Sequence, residues 1–244
     1  SDAFMEMFRV VIQLGAILAV VVLYFKKLWP FCGDNGRDSG FARHFRWPVI
    51  KLWCKIIVAC LPAAVLGLLL DDWMDAHFYN SVVVAVMLIV YGIAFILVER
   101  RPRVPTTTKL SRITYQQALI IGIWQVLALI PGTSRSGATI LGGLLCGLSR
   151  GAASQFTFFL AIPVMAGASG LKLVKFLAKG GVFTLGEVGT LLVGCIVAFV
   201  VSILAIRFLM DYVKKHTFTV FGWYRIALGI LVLGIWALQS FVLA

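Results

Sequence analysis

YQQALIIGIWQVLALIPGTSRSGATILGGLLCGL, residues 115–148, is the stretch on which the fold turns. Its first arm, Tyr115 to Ile130, is apolar and reaches only about 24 Å as a helix. Pro131 and Gly132 stop that arm, because proline lacks the amide hydrogen and glycine tolerates the turn. The second arm, roughly Gly137 to Leu148, reaches about 18 Å. Neither arm covers the ~30 Å hydrocarbon core of a bilayer. Two short apolar arms around a Pro-Gly break predict a re-entrant helical hairpin over 114–148, with both ends on one side and PGTSRSGAT at its tip. Irregular backbone at that depth must be buried in protein or line a wet cavity.

The rest of the chain supports a membrane setting. Its 244 residues are 61% hydrophobic and 13% charged, against about 25% charged in soluble domains. Six further segments reach spanning length: 9–28, 49–70, 80–98, 152–174, 187–210 and 218–243. The long Leu, Val, Ala and Ile runs predict helices, not barrel strands. Cys32, Cys54, Cys60, Cys146 and Cys195 form no CxxC or CxxH pattern and read as small hydrophobes. The net charge of +12 would suit nucleic acid, but the cations sit between spans and explain orientation better. Lys26, Lys27, Arg37, Arg43, Arg46 and Lys51 fill one loop; Arg100, Arg101, Arg103, Lys109 and Arg112 a second; Arg207, Lys214 and Lys215 a third. The loop DDWMDAHFYN, 71–80, has three aspartates and no Lys or Arg. The basic loops are therefore expected in the cytoplasm and the acidic one outside. Lys172, Lys175 and Lys179 fall on the outer side in this arrangement, where they would snorkel or meet lipid headgroups.

Residues 1–244 read as a single membrane domain. Residues 1–100 form a first repeat of three spans, and 114–244 a second repeat of a hairpin plus three spans. Units with an odd number of crossings insert in opposite directions, the inverted-repeat arrangement. By that logic the first repeat lacks a hairpin of its own, and one is expected upstream of residue 1.

The tip carries the chemistry. A helix starting near Ser136 points free amides and a positive dipole end toward the midplane, a ready anion site. Arg135 adds a permanently charged fork matched to phosphate oxygens. Thr133, Ser134, Ser136 and Thr139 cap the helix, donate to phosphate oxygens, or do both. Elsewhere, Gln13 and Gln125 read as helix–helix hydrogen-bonding amides, and Arg225 as a cation snorkelling from the last span. Glu6, Asp71, Asp72, Glu99, Glu187 and Asp211 sit near span ends, and His44, His77 and His216 in loops or at span edges. These positions give no evident metal-ligand set within the spans.

PGTSRSGAT resembles the second signature of the undecaprenyl-diphosphate phosphatase family, bacterial membrane enzymes associated with bacitracin resistance. FRVVIQLGAILAVV, LPAAVLGLLLDD, YQQALIIGIWQVLALIPGTSRSGATILGG and SRGAASQFTFFLAIPVMAGAS resemble that family in order and spacing. The resemblance implies an all-α integral membrane fold of six spans and hairpins in inverted repeat. It implies removal of the terminal phosphate from a C55 isoprenyl diphosphate, recycling the carrier of cell-wall sugars. Arg135 and Ser134 are then expected to be catalytic, with Gly132, Thr133, Ser136, Gly137 and Thr139 binding substrate. A divalent cation, Mg or Ca, is implied, and no residue of this chain is assigned as its ligand. The family's earlier Glu-rich ExxxE and Ser-Ser-Thr-Gly-His signatures have no counterpart here. The expected location is the bacterial inner membrane, multi-pass. The expected partners are polyprenyl diphosphate, membrane lipids and a second copy as a homodimer, with no nucleic acid. The alternative reading is a lipid-phosphate or anion transporter or flippase, since inverted repeats suit alternating access.

Overall fold

The computed structural model describes residues 2–31, 45–101, 104–178, 181 and 183–242. Among them the fold is all-helical, with ten α-helices: α1 Asp2–Val11, α2 Gln13–Leu23, α3 Phe25–Leu28, α4 Trp47–Phe78, α5 Ser81–Arg100, α6 Tyr115–Val126, α7 Arg135–Leu145, α8 Arg150–Ala178, α9 Leu185–Lys215 and α10 Thr219–Val242. No strand forms among these residues beyond the isolated bridges Phe31–Phe45 and Thr107–Leu148. Cys32, Arg37, Arg43, His44, Arg103 and Lys179, which entered the cysteine and charge readings, lie outside the described residues. Cys54, Cys60, Cys146 and Cys195 are free thiols.

Five helices, α4, α5, α8, α9 and α10, contain stretches long and apolar enough to cross a membrane. Their outward faces carry large apolar side chains in quantity: Leu68 is 80% exposed, Leu204 63% and Phe208 69%. Such surfaces on helices of spanning length are suited to hydrocarbon. The acidic stretch expected as a loop from 71 is instead helical through Phe78, and Asn80 then caps α5 by accepting from the Val83 amide at 2.9 Å.

Contacts group the chain into two compact units, Ser1–Cys54 with Phe158–Asp211 and Lys55–Thr157 with Tyr212–Ala244. In the first, the expected span 9–28 is not one helix but the broken series α1, α2, α3. Two donors from other helices explain the break at Ile12. Ser169 Oγ donates to the Val10 carbonyl at 3.0 Å, and Cys195 Sγ lies 3.9 Å from the Val11 carbonyl. The Gly15 amide turns to Ile12 O at 3.1 Å, one residue short of the α-helical partner. Side chains inserted into the ladder are a recognised cause of helix breaks. Gly15 permits the approach, since a Cβ there would stand 3.1 Å from Cys195 Cα.

In the second unit, α5 and α10 pack almost backbone to backbone. A Cβ on Gly92 would lie 2.7 Å from Gly222 O, one on Gly222 2.7 Å from Gly92 O, and one on Gly229 2.8 Å from Ala85 O. Small residues at such crossings let apolar helices approach closely. Beside them, α6 and α7 form a helical hairpin. Thr114 and Gln117 make a complete capping box at the start of α6. The arm ends in a 3₁₀ turn, Leu127–Leu129, and the chain reverses through Pro131 and Gly132. The two arms meet where Gly142 faces Trp124, whose Cγ a Cβ at 142 would approach to 2.7 Å.

The hairpin's open end is latched. The amides of Thr106 and Thr107 donate to Gly147 O at 2.9 and 3.1 Å, and Ser149 N donates to Thr107 O at 2.9 Å. Gln117 Nε2 reaches both Thr107 Oγ1 and Cys146 O. Nearby, Arg150 binds the Glu99 carboxylate through Nε at 2.9 Å and Nη2 at 2.5 Å, while Phe218 N donates to the same group at 3.3 Å. A cavity of about 740 Å³, lined in part by Glu99, Arg101, Ser149 and Arg150, opens at this end of the hairpin.

Candidate functional site

At the opposite end of the hairpin, the tip places the seven expected site residues in one short segment but gives them different environments. Gly132 turns the chain with φ +85°, and its Cα lies against α5, where a Cβ would come 2.7 Å from Val84 Cα. Thr133 is 7% exposed and its hydroxyl has no partner among the described residues. Ser134 is the N-cap of α7: its Oγ accepts from Gly137 N at 3.2 Å and lies 3.0 Å from Ser136 Oγ. The helix therefore begins at Arg135, one residue earlier than expected. The amides of Arg135 and Ser136 have no intrahelical acceptor at that position. Ser136 is solvent-facing.

Thr139 is built into the packing. It is 1% exposed, donates to Arg135 O at 3.0 Å, and accepts from Thr157 Oγ1 at 2.9 Å. Its hydroxyl thus ties α7 to α8 at the level of the tip.

Arg135 is partly buried, and no hydrogen-bond acceptor or carboxylate meets its guanidinium among the described residues; the Cys60 thiol is an electrostatic neighbour. A guanidinium among apolar helices is expensive without a counter-charge or water.

Several site features were not anticipated. Arg225, expected to snorkel toward a helix end, is directed instead at the start of α7. A Cβ built on Gly137 would lie 3.1 Å from Arg225 Nη2 and 3.4 Å from Ser134 Cβ. Arg225 Nη1 is buried without an acceptor among the described residues. Its electrostatic neighbours are Tyr91 and Tyr224, and the Tyr91 hydroxyl is likewise buried and unpartnered. Gln125, expected to bond a neighbouring helix, is 3% exposed with both side-chain polar atoms unpartnered among the described residues, and Ser154 Oγ is in the same condition. Buried polar atoms without partners are uncommon and call for an explanation such as a functional role or an ordered ligand. All of them named here belong to the unit that carries the hairpin. Their presence inside apolar spans was the available sequence signal for Arg225, Gln125 and Tyr91.

Among the described residues no group of three or more His, Cys, Asp or Glu is placed to hold a metal ion. The implied divalent cation therefore finds no fitting ligand set in this part of the chain.

The fold and its tip define a multi-pass helical membrane protein with a cationic, hydroxyl-rich helix amino end. Comparison with known families narrows this. The profile for Bacitracin resistance protein BacA matches residues 1–231, and the chain belongs to that family. Relatives named undecaprenyl-diphosphatase include one from Enterococcus faecalis, 60% identical over 238 residues, 97% of this chain and 84% of the relative. Another, from Streptococcus gordonii, is 58% identical over 98% of this chain and 84% of its own length. A third, from Streptococcus thermophilus, is 57% identical over 96% of this chain and 80% of its own length.

Proposed function

We infer that this protein is an undecaprenyl-diphosphate phosphatase of the bacterial inner membrane. It hydrolyses the bond between the two phosphoryl groups and returns undecaprenyl phosphate to cell-wall synthesis. The observation that carries the reading is the Arg135 guanidinium at the capped amino end of α7, unopposed by any carboxylate among the described residues, in a family whose relatives bear that enzyme's name.

In this reading the six expected spans cross the bilayer and 114–148 enters and leaves on the cytoplasmic side. The lengths of α6 and α7, 12 and 11 residues, support it, as each is shorter than ~20 residues. The latch joining 106–107 to 147–149 supports it too, because it holds both hairpin ends at one level. The broken α1–α3 region takes the place of the first crossing.

The reaction adds water to the terminal phosphorus and breaks its bond to the bridging oxygen, giving inorganic phosphate and the lipid monophosphate. Arg135 and the amides of Arg135 and Ser136 hold the phosphoryl oxygens where charge builds. Ser134 fixes that helix end and, with Ser136, supplies hydroxyls to the same oxygens. Gly132, Thr133 and Gly137 shape the cradle, and Thr139 holds it from behind. A divalent cation would neutralise diphosphate charge when bound, while no group of three or more His, Cys, Asp or Glu among the described residues is placed to hold it.

The test is release of inorganic phosphate from undecaprenyl diphosphate by the purified protein, with Arg135→Ala beside it. The variant is expected to fold and to lose turnover. Retained turnover would remove the reading's basis, and lipid movement across vesicles without phosphate release would mark a transporter instead.

A further inference from the structure

We propose that Arg225 is a second substrate-binding cation of the tip site, gripping the phosphoryl group that Arg135 does not and making the site select diphosphate over monophosphate. This rests on the function proposed above and assigns a role to a residue outside the signature.

Three observations carry it. The guanidinium of Arg225 reaches the first turn of α7 from a different helix: its Nη2 and the Ser134 side chain flank the same point beside Gly137, at 3.1 and 3.4 Å. Among the described residues its Nη1 is buried with no protein acceptor, and its electrostatic neighbours are phenols, not carboxylates. A cation held this way inside apolar helices, without a counter-ion among the described residues, is matched to an anionic ligand more than to a structural pair. Finally, the approach depends on Gly137 lacking a side chain, so the α7 backbone leaves room for the second arginine.

Two guanidiniums then face one helix end. One arginine fork matches the oxygens of one phosphoryl group. A monophosphate satisfies one fork; a diphosphate satisfies both. The close packing of α5 and α10 through Gly92, Gly222 and Gly229 fixes the height of Arg225 relative to Tyr91. The second fork is therefore presented by a rigid element, as a specificity-determining group requires.

The experiment compares the wild-type protein with Arg225→Gln, Arg225→Lys and Gly137→Ala. It measures KM and kcat for undecaprenyl diphosphate, inhibition by undecaprenyl phosphate, the melting temperature, and binding of inorganic pyrophosphate and inorganic phosphate. Arg225→Gln is expected to raise KM about 10- to 100-fold, the range of one lost charge-assisted hydrogen bond. The inhibition constant for the monophosphate should move less than about threefold on the same grounds, since Arg135 still binds it. Arg225→Lys should recover part of the loss. Gly137→Ala should push the guanidinium aside and reproduce the selective rise in KM without lowering the melting temperature, which keeps the idea testable if Arg225→Gln fails to fold. An unchanged KM in folded Arg225→Gln overturns the proposal, as does an equal rise in KM and in the monophosphate constant. If the wild type releases no phosphate, the proposed function fails by itself. The pyrophosphate and phosphate titrations then decide the role of Arg225, which stands only if the glutamine variant loses the preference for pyrophosphate.

Discussion

Replacing Gly132 with alanine brings two separate penalties at the hairpin tip. Gly132 has φ +85°, a left-handed conformation that costs an L-residue about 1–2 kcal/mol. The new methyl would also meet the backbone of Val84, 2.7 Å from its Cα and closer still to its carbonyl oxygen. Backbone inside α5 cannot swing away as a side-chain end can, and overpacking of that kind costs about 1–3 kcal/mol. Together the loss is about 2–5 kcal/mol, a large share of ordinary folding stability. For a chain of this size it corresponds to a fall in melting temperature on the order of 10 °C. Gly137→Ala is the matched control. It lies at ordinary helical φ, its closest contact would be the flexible end of Arg225, with Ser134 Cβ at ordinary van der Waals distance, and it gains up to about 1 kcal/mol of helix propensity. Thermal unfolding of both variants in detergent, followed by tryptophan fluorescence, should show the first melting well below the wild type and the second at or above it. A Gly132→Ala protein melting within 2 °C of the wild type, a margin of about 1 kcal/mol or less, would refute the claim that the tip is pressed against α5.

Arg150→Ala should destabilise by about 2–3 kcal/mol, below the range for fully buried pairs because Arg150 is 39% exposed while Glu99 is 4% exposed. The double variant Glu99→Leu/Arg150→Leu should melt above the single one, since it leaves no stranded carboxylate. Ser134→Ala removes the α7 cap, so it should cost about 1 kcal/mol and also lower phosphate release. Thr139→Val leaves the Thr157 hydroxyl without its acceptor and should cost about 1–2 kcal/mol, measured by thermal melting. KM should rise no more than severalfold in that variant, because Thr139 is turned into the packing and supports the tip only from behind.

The hairpin was legible because its signals are local. Pro131 and Gly132 interrupt an apolar run, and the arms on either side are each too short to cross a bilayer. The five long apolar helices were legible for the same reason: length and composition suffice. The break in 9–28 was not. That run has no proline, and its carbonyls are engaged by Ser169 and Cys195, 159 and 184 residues away. The helical course of 71–78 was hidden by its charge, which reads as a loop although Trp, Met, Asp, Ala and His are all tolerated in a helix. Arg225 was misplaced for a geometric reason. Its position along α10 suggested an end, but the direction of its side chain depends on which face of α10 meets α5. That face is set by Gly92 and Gly222, far apart in sequence.

The two ends of the hairpin bear on each other through this geometry. The latch at Thr107, Gln117 and Gly147 uses neutral hydrogen bonds in loop backbone, so it fixes the register of α6 against α7 without adding charge near the tip. Gly142 against Trp124 sets the spacing between the arms, and Gly132 against Val84 sets the tip's depth on α5. Since α5 also sets the height of α10, the amino end of α7 and the Arg225 guanidinium are referenced to the same helix. Two cations with no carboxylate between them would repel, and in a mobile loop they would drift apart. In the proposed site packed helices hold both cations at the start of α7, where an anion bound between them would offset their mutual repulsion. Loosening the latch, far from any phosphate contact, should therefore weaken anion binding through misplacement alone. Gln117→Leu, which removes bonds to Thr107 and Cys146 and half of the capping box, should raise KM severalfold while leaving every tip side chain in place.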